Sequence, residues 1–165
     1  MAKWTATDSK VTLVNVYGVT EAAVYQTHHT VPTLKPDCLS ISDPRCVGLP
    51  YPDVTICVIP DADSDADTVE GSTEGEVYIG GPQVCRGYLN DEQLTRERFV
   101  TLSPHHACTA VCGTPGGTWP TRFFRTGDRA RITLVGSAPK LQLLGRCDGQ
   151  VKVMGRRVEL GEIER

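Results

Sequence analysis

Glycine and proline recur at short intervals along almost the whole chain, 16 Gly and 11 Pro in 165 residues. Each is a local break: Gly admits backbone conformations that other residues avoid, and Pro removes a hydrogen-bond donor and fixes φ. Between the breaks lie apolar runs too short for ordinary helices and rich in Val, Ile, Leu and Phe. Such runs predict strands at Val11–Tyr17, Thr55–Ile59, Glu76–Ile79, Phe123–Arg125, Ala130–Val135, Leu141–Leu144, Gln150–Val153 and Arg157–Leu160. Helix is expected only at Glu21–Gln26 and at Asp91–Arg98, where acidic residues lead and Arg closes, as the helix dipole favours. The fold class is therefore mainly β with some α, in the manner of a barrel or sandwich.

Composition narrows the function. With 39% hydrophobic and 22% charged residues the chain can form a packed core. Its net charge of −3 disfavours nucleic acid as a partner, since a duplex binder needs a dense basic face. No apolar run is long enough to span a membrane, and residues 1–10 lack the apolar core of a signal peptide, so the expected location is cytoplasmic. Seven widely spaced cysteines, an odd number, read as free thiols rather than a disulfide framework. His105, His106, Cys108 and Cys112 form a local cluster that could hold a metal. Zinc sites prefer a second, distant pair of ligands, however, so a polar surface loop is the simpler account.

Two stretches read as loops. Pro60–Glu76 alternates Asp with small residues like a calcium loop, but Ala66 and Ser72 stand where the turn Gly and bidentate Glu belong. Ser103–Pro120 reads as an insertion. Asp148-Gly149, between LQLLGR and QVKVMG, signals a tight turn, and Gly155 punctuates a further strand pair. Gly161–Arg165 looks like one acidic helical turn; a single turn cannot bury an apolar face, so the terminus is expected to be truncated.

Three constellations carry chemistry. Asn15–Glu21 (NVYGVTE) is a β run broken at Gly18, delivering a flat ring, a hydroxyl and a hard carboxylate where ligands of α/β sheets gather. Its bland alternative is a strand ending in a turn before a helix. Arg125-Thr126-Gly127-Asp128 places an acid after a Gly break, where it could accept hydrogen bonds from a vicinal diol; otherwise it is an ordinary hairpin turn. Gly145–Lys152 (GRCDGQVK) offers Arg146 to a phosphate or ribose and Asp148 as a pivot, or is a plain charged hairpin.

Taken in order, these segments resemble the adenylate-forming (AMP-binding) superfamily, and within it the C-terminal part of the amino-acid adenylation domains of nonribosomal peptide synthetases. Asn15–Glu21 is similar to N-x-Y-G-x-T-E, and Gly75–Phe99 (GEVYIGGPQVCRGYLNDEQLTRERF) to G-E-L-x-I-G-G-x-x-V-x-R-G-Y-x-N-x-x-x-L-T-x-x-x-F. Phe124–Asp128 (FRTGD) is similar to Y-R-T-G-D, and Gly145–Glu164 to G-R-x-D-x-Q-V-K-x-x-G-x-R-V-E-L-G-E-I-E. The resemblance covers the chain from about Val11 onward.

The resemblance implies a distorted β-barrel subdomain, flanked by the edge of the preceding α/β subdomain and the start of an α+β C-terminal domain. The expected divisions are 1–26, 27–147 and 148–165. It implies that Tyr17 stacks on adenine beside Asn15 and Gly18, that Thr20 contacts the α-phosphate, and that Glu21 ligates Mg²⁺. Thr20 and Glu21 would thus be the catalytic residues here. Asp128 would hold both ribose hydroxyls with help from Arg146, Asp148 would be the domain hinge, and Val16, Val24 and Tyr25 would line the substrate pocket. The implied activity is ATP-dependent activation of an amino acid, or another carboxylic acid, as an acyl-adenylate. Transfer to a phosphopantetheine thiol on a carrier protein would follow within a multidomain parent enzyme.

The family's Ser/Thr/Gly-rich phosphate loop has no counterpart before Asn15, and its catalytic Lys would lie beyond Arg165. The isolated chain is therefore expected to be inactive and poorly soluble. Two alternatives remain: a non-catalytic β-barrel fragment serving as a binding module, and a piece of a fatty acyl-CoA synthetase.

Overall fold

The computed structural model describes residues 12–31, 43, 45–60, 71–104, 108–114, 118–135, 138–148, 150–153 and 156–159. Eleven strands and one helix appear among them, in the order β1 (Val14–Tyr17), β2 (Thr27–Thr30), β3 (Leu49–Pro50), β4 (Thr55–Ile59), β5 (Ser72–Gly80), α1 (Glu92–Arg98), β6 (Phe99–Thr101), β7 (Thr109–Cys112), β8 (Arg122–Val135), β9 (Ala138–Arg146), β10 (Gln150–Val153) and β11 (Arg156–Glu159). A six-stranded antiparallel sheet runs β6-β8-β5-β4-β7, with β9 pairing β8 along the stretch that β6 leaves open. β1, β2 and β3 make a second sheet, and among the described residues β10 pairs with β11 alone.

The sequence of β4, Thr-Ile-Cys-Val-Ile, explains its central place. Alternation sends Ile56 and Val58 to one face, where they pack with Val77, Ile79, Val111, Ala130, Ile132 and Leu141. Cys57 points to the other face and meets Leu102 and Phe123, with Ile59, Tyr78 and Trp119 against them. Both faces are covered, so β4 reads as a continuous apolar run rather than an alternating one. Each fully buried aliphatic side chain stabilises the fold by about 1.5–3 kcal/mol.

Several expectations are corrected. The chain from Arg122 to Val135 is one strand, not two strands joined by a hairpin turn. Between the Glu76↔Arg129 and Tyr78↔Arg125 pairs of its ladder with β5, Val77 faces the three residues Thr126, Gly127 and Asp128. This bulge survives because Gly127 takes φ +75 and its neighbours replace the lost ladder bonds. Thr126 Oγ1 donates to the Val77 carbonyl at 2.8 Å and accepts from Asp128 N at 2.9 Å.

The helix expected over Glu21–Gln26 is a single 3-10 turn, Thr20–Ala22. Ala23 and Val24 follow at φ +61 and +76, a conformation that a β-branched residue rarely adopts, and helix cannot propagate through it. The buried Gln26 amide takes over the hydrogen bonds instead: its Oε1 accepts from Val19 N at 2.7 Å, and its Nε2 donates to the Ala22 carbonyl. α1 forms as expected, with the Asp91 carboxylate capping Leu94 N at 2.9 Å, Glu92 in the first turn and Arg96 and Arg98 in the last.

Both expected loops contain strand. β7 lies within Ser103–Pro120 and pairs with β4, and Ser72–Glu76 belongs to β5; the Asp-rich 61–70 stretch lies outside the described residues. β9 and β10 are not hairpin partners, because the chain changes sheets between them. The free-thiol expectation fails at one pair: Cys57 and Cys108 form a disulfide with Cα atoms 6.1 Å apart. The cause is tertiary, since β7 runs beside β4 and brings together cysteines 51 residues apart. That bond also removes Cys108 as a thiolate from the suggested metal cluster, whose His105 and His106 lie outside the described residues. No helix among the described residues is long and apolar enough to cross a membrane.

Candidate functional site

The β8 bulge turns the Asp128 carboxylate out of the ladder toward the end of β1. Tyr17, the last residue of β1 and 111 positions away, donates its hydroxyl to Asp128 Oδ2 at 2.7 Å. Across the β8–β9 ladder Asp128 faces Arg146, whose Nη1 donates to Asp128 Oδ1 at 2.7 Å. The same guanidinium grips Asp148 through Nε at 2.7 Å and Nη2 at 2.8 Å, the planar two-point geometry that suits Arg and carboxylate. Arg98, at the end of α1, approaches Asp148 at 3.5 Å. Four of the residues singled out in the sequence, Tyr17, Asp128, Arg146 and Asp148, thus form one connected network.

The network is partly sheltered, which strengthens its charge pairing. Tyr17 keeps 8% of its surface accessible, and burial first, then the Asp128 charge, pushes its phenol well above the usual tyrosine range. The phenol therefore stays protonated and remains a donor. Arg146 is held above its ordinary value by hydrogen bonds and charge from Asp148 and Asp128, which outweigh an opposing burial effect.

Beneath the bulge lies a buried carboxylate that the sequence reading missed. Glu76 accepts from Arg125 Nε at 2.8 and 3.0 Å and from the Gly127 backbone N at 3.1 Å. It anchors the bulge that aims Asp128, and the Arg125 guanidinium is raised chiefly through its hydrogen bonds to Glu76. The signal was an acid directly after Gly75, just ahead of the Val77-Tyr78-Ile79 run.

The remaining candidates cluster on the turn after β1. Glu21 is buried, and its Oε1 accepts the Tyr88 hydroxyl at 2.7 Å, while Thr20 beside it is exposed. Asn15 Nδ2 donates to the Cys46 carbonyl at 2.7 Å, fixing β1 to the following segment. Gly18 is required: a Cβ there would run into the Val24 carbonyl and the Gln26 amide. Val16, Val24 and Tyr25 are exposed by 39%, 52% and 60%, and belong to none of the hydrogen-bonded network around Asp128. A cavity of about 430 Å³ opens elsewhere, between Asp53, Thr55, Trp119 and Arg122; Cys112 lines it, but none of the nucleotide-site candidates does. Charge geometry, rather than concavity, defines the site.

The donor set fits a nucleotide and its metal. Each carboxylate oxygen of Asp128 has one partner in the network and a second lone pair, so the group can still accept from a diol. Glu21 is a hard oxygen donor. Among the described residues no group of three or more His, Cys, Asp and Glu is placed to hold a metal ion. Mg²⁺ commonly takes one or two carboxylates and fills its shell with water and substrate phosphate, so a single carboxylate is a sufficient protein ligand.

The AMP-binding enzyme family matches residues 1–89. The chain is 36% identical over 157 residues to a dimodular nonribosomal peptide synthase of Bacillus subtilis, covering 95% of this chain and 6% of that protein. It is 38% identical over 155 residues to nonribosomal peptide synthetase 7 of Aspergillus fumigatus, covering 94% and 5%. Among solved structures, an artificially fused adenylation–PCP di-domain, NpsA–ThdA of Klebsiella oxytoca, superimposes with a TM-score of 0.66 at 30% identity, covering 95% of this chain and 25% of that one. The Vibrio cholerae adenylation domain AlmE, solved with glycyl-adenosine-5'-phosphate, gives 0.64 at 26% identity over 94% and 25%. The chain therefore spans a small part of the relatives it matches.

Proposed function

The chain belongs to the AMP-binding enzyme family, its relatives being the adenylation domains of nonribosomal peptide synthetases, and we propose that it takes part in ATP-dependent activation of an amino acid or another carboxylic acid. The acid forms an acyl-adenylate with release of pyrophosphate, and is then passed to the phosphopantetheine thiol of a carrier protein. The adenylation–PCP architecture of a neighbour supports the second step. In this reading the whole enzyme is multidomain and cytoplasmic.

The observation that carries the reading is the Tyr17–Asp128–Arg146 network, which joins three motifs distant in sequence at one point. Asp128 accepts both ribose hydroxyls, while Tyr17 and Arg146 fix the rotation of its carboxylate. Tyr17 also offers what remains exposed of its ring to adenine, with Asn15 and Gly18 behind it. Thr20 donates to the α-phosphate, and Glu21 holds Mg²⁺, which when bound neutralises phosphate charge as the acyl–phosphate bond forms. Val16, Val24 and Tyr25 face the acid.

Asp148 is the hinge. In support, the chain leaves the six-stranded sheet after Arg146 and enters the separate β10–β11 pair at Gln150. The divisions 1–26, 27–147 and 148–165 belong to the same proposal, the first of them falling between β1 and β2, which pair in one sheet.

Titration of the chain with an aminoacyl-sulfamoyl-adenosine tests the proposal. Micromolar binding that Asp128→Ala abolishes is expected, and binding indifferent to Asp128→Ala would refute it. The chain alone is expected to show no ATP–pyrophosphate exchange; exchange above background would overturn that part.

A further inference from the structure

Tyr88, on the segment between β5 and α1, makes a direct side-chain contact to the residue read as the metal ligand. Its hydroxyl donates to Glu21 Oε1 at 2.7 Å across 67 residues of sequence. Three residues earlier, Cys85 N donates to the Glu21 backbone carbonyl at 2.9 Å, so one short segment holds Glu21 by both main chain and side chain.

Tyr88 is itself well supported. Its ring meets Phe99 edge-on, with centroids 5.7 Å apart, and Phe99 packs in turn on Phe124 at 5.0 Å. Its backbone N donates to Thr95 Oγ1 at 2.9 Å, and that hydroxyl donates to the Asp91 carbonyl at 2.7 Å, tying the segment to α1. Gly87 permits the approach, because a Cβ there would strike the Thr95 side chain and its φ of +147 excludes most residues. By contrast, Glu21 sits on a single 3-10 turn followed by two left-handed residues, a poor platform for fixing a side chain.

We propose that Tyr88 is a positioning residue for Glu21: its hydroxyl fixes one carboxylate oxygen and so determines which lone pairs face a divalent cation arriving with the nucleotide. A hydrogen bond behind a metal ligand orients that ligand, and its loss commonly costs about 10–100-fold in metal affinity. The inference rests on the reading of Glu21 as the Mg²⁺ ligand.

The test uses the full-length gene product with β,γ-imido-ATP and Mn²⁺, bound metal being counted by electron paramagnetic resonance. ATP–pyrophosphate exchange is followed in parallel against Mg²⁺ concentration. Tyr88→Phe, which keeps the ring on Phe99, should weaken Mn²⁺ binding about tenfold. It should raise the Mg²⁺ requirement equally, the lost activity returning as metal approaches saturation. Ile56→Val, a core change remote from Glu21, should lower the melting temperature and leave both metal constants unchanged. If Glu21→Gln shifts the constants and Tyr88→Phe does not, the positioning role is overturned. An equal shift in Ile56→Val also overturns it, because general loosening would then account for the effect. If Glu21→Gln shifts nothing, the functional reading beneath it falls as well.

Discussion

β4 and β8 run through the same sheet and solve opposite problems. β4 has five residues, four of them buried, and no irregularity in its ladders with β5 or β7. β8 has fourteen residues, apolar at Phe123-Phe124 and again at Ala130 and Ile132, with a polar break between. The apolar halves clamp the strand in register, and the break, patched by Thr126 and Glu76, pushes Asp128 out to meet Tyr17 and Arg146. Packing fixes where the strand lies, and the deliberate defect in it makes the site.

The comparison can be broken at either strand. The largest expected effect is on β4: Ile56→Ala empties a fully buried position and should destabilise the chain by about 2–5 kcal/mol in chemical denaturation, leaving analogue affinity per folded molecule unchanged. On β8, Gly127→Ala should cost about 1–2 kcal/mol from the left-handed φ alone. It should also abolish analogue binding, because the new methyl would meet the Asp148 carboxylate and the Arg146 guanidinium. Stability loss without binding loss would mean that the bulge is structural only.

Glu76→Ala removes the acceptor from the buried Gly127 N–H and should cost about 1–3 kcal/mol, with weakened analogue binding through misplacement of Asp128. A subtler test uses pH. The raised Tyr17 phenol means that the folded chain keeps a proton which the unfolded chain releases near pH 10. Its contribution is full below about pH 10 and is lost as pH rises toward the folded value, with a slope of about 1.4 kcal/mol per unit. Tyr17→Phe should flatten that part of the stability curve and remove a strongly alkaline step at 295 nm. The smallest effect is expected at Arg96→Ala, whose exposed i,i+4 pair with Glu92 should change stability by less than about 0.5 kcal/mol.

What the sequence made legible follows the same contrast. β4 was readable to its ends because five consecutive β-forming residues admit little else, and α1 because Asp91 and its terminal charges mark it. The bulge was not: Gly127 reads as a break, and only the facing Glu76 and Val77 show that the ladder resumes. The 3-10 turn replaces the expected helix because Ala23 and Val24 turn left-handed, and the Gln26 amide closes the turn within the same short segment. The Cys57–Cys108 pairing depends on β7 lying beside β4, which spacing cannot reveal. At the site, Asp128 and Arg146 were found by motif, but the Tyr17 hydroxyl bond and the support from Tyr88 and Glu76 exist only in three dimensions.

The central claim is that the end of β1 and the break in β8 form a single nucleotide site. A double-mutant cycle with Tyr17→Phe and Asp128→Asn, read as affinity for the aminoacyl-sulfamoyl-adenosine, tests it directly. The account predicts a coupling of about 0.5–3 kcal/mol, as for side chains sharing one hydrogen-bonded network. Additive losses from the two substitutions would contradict it.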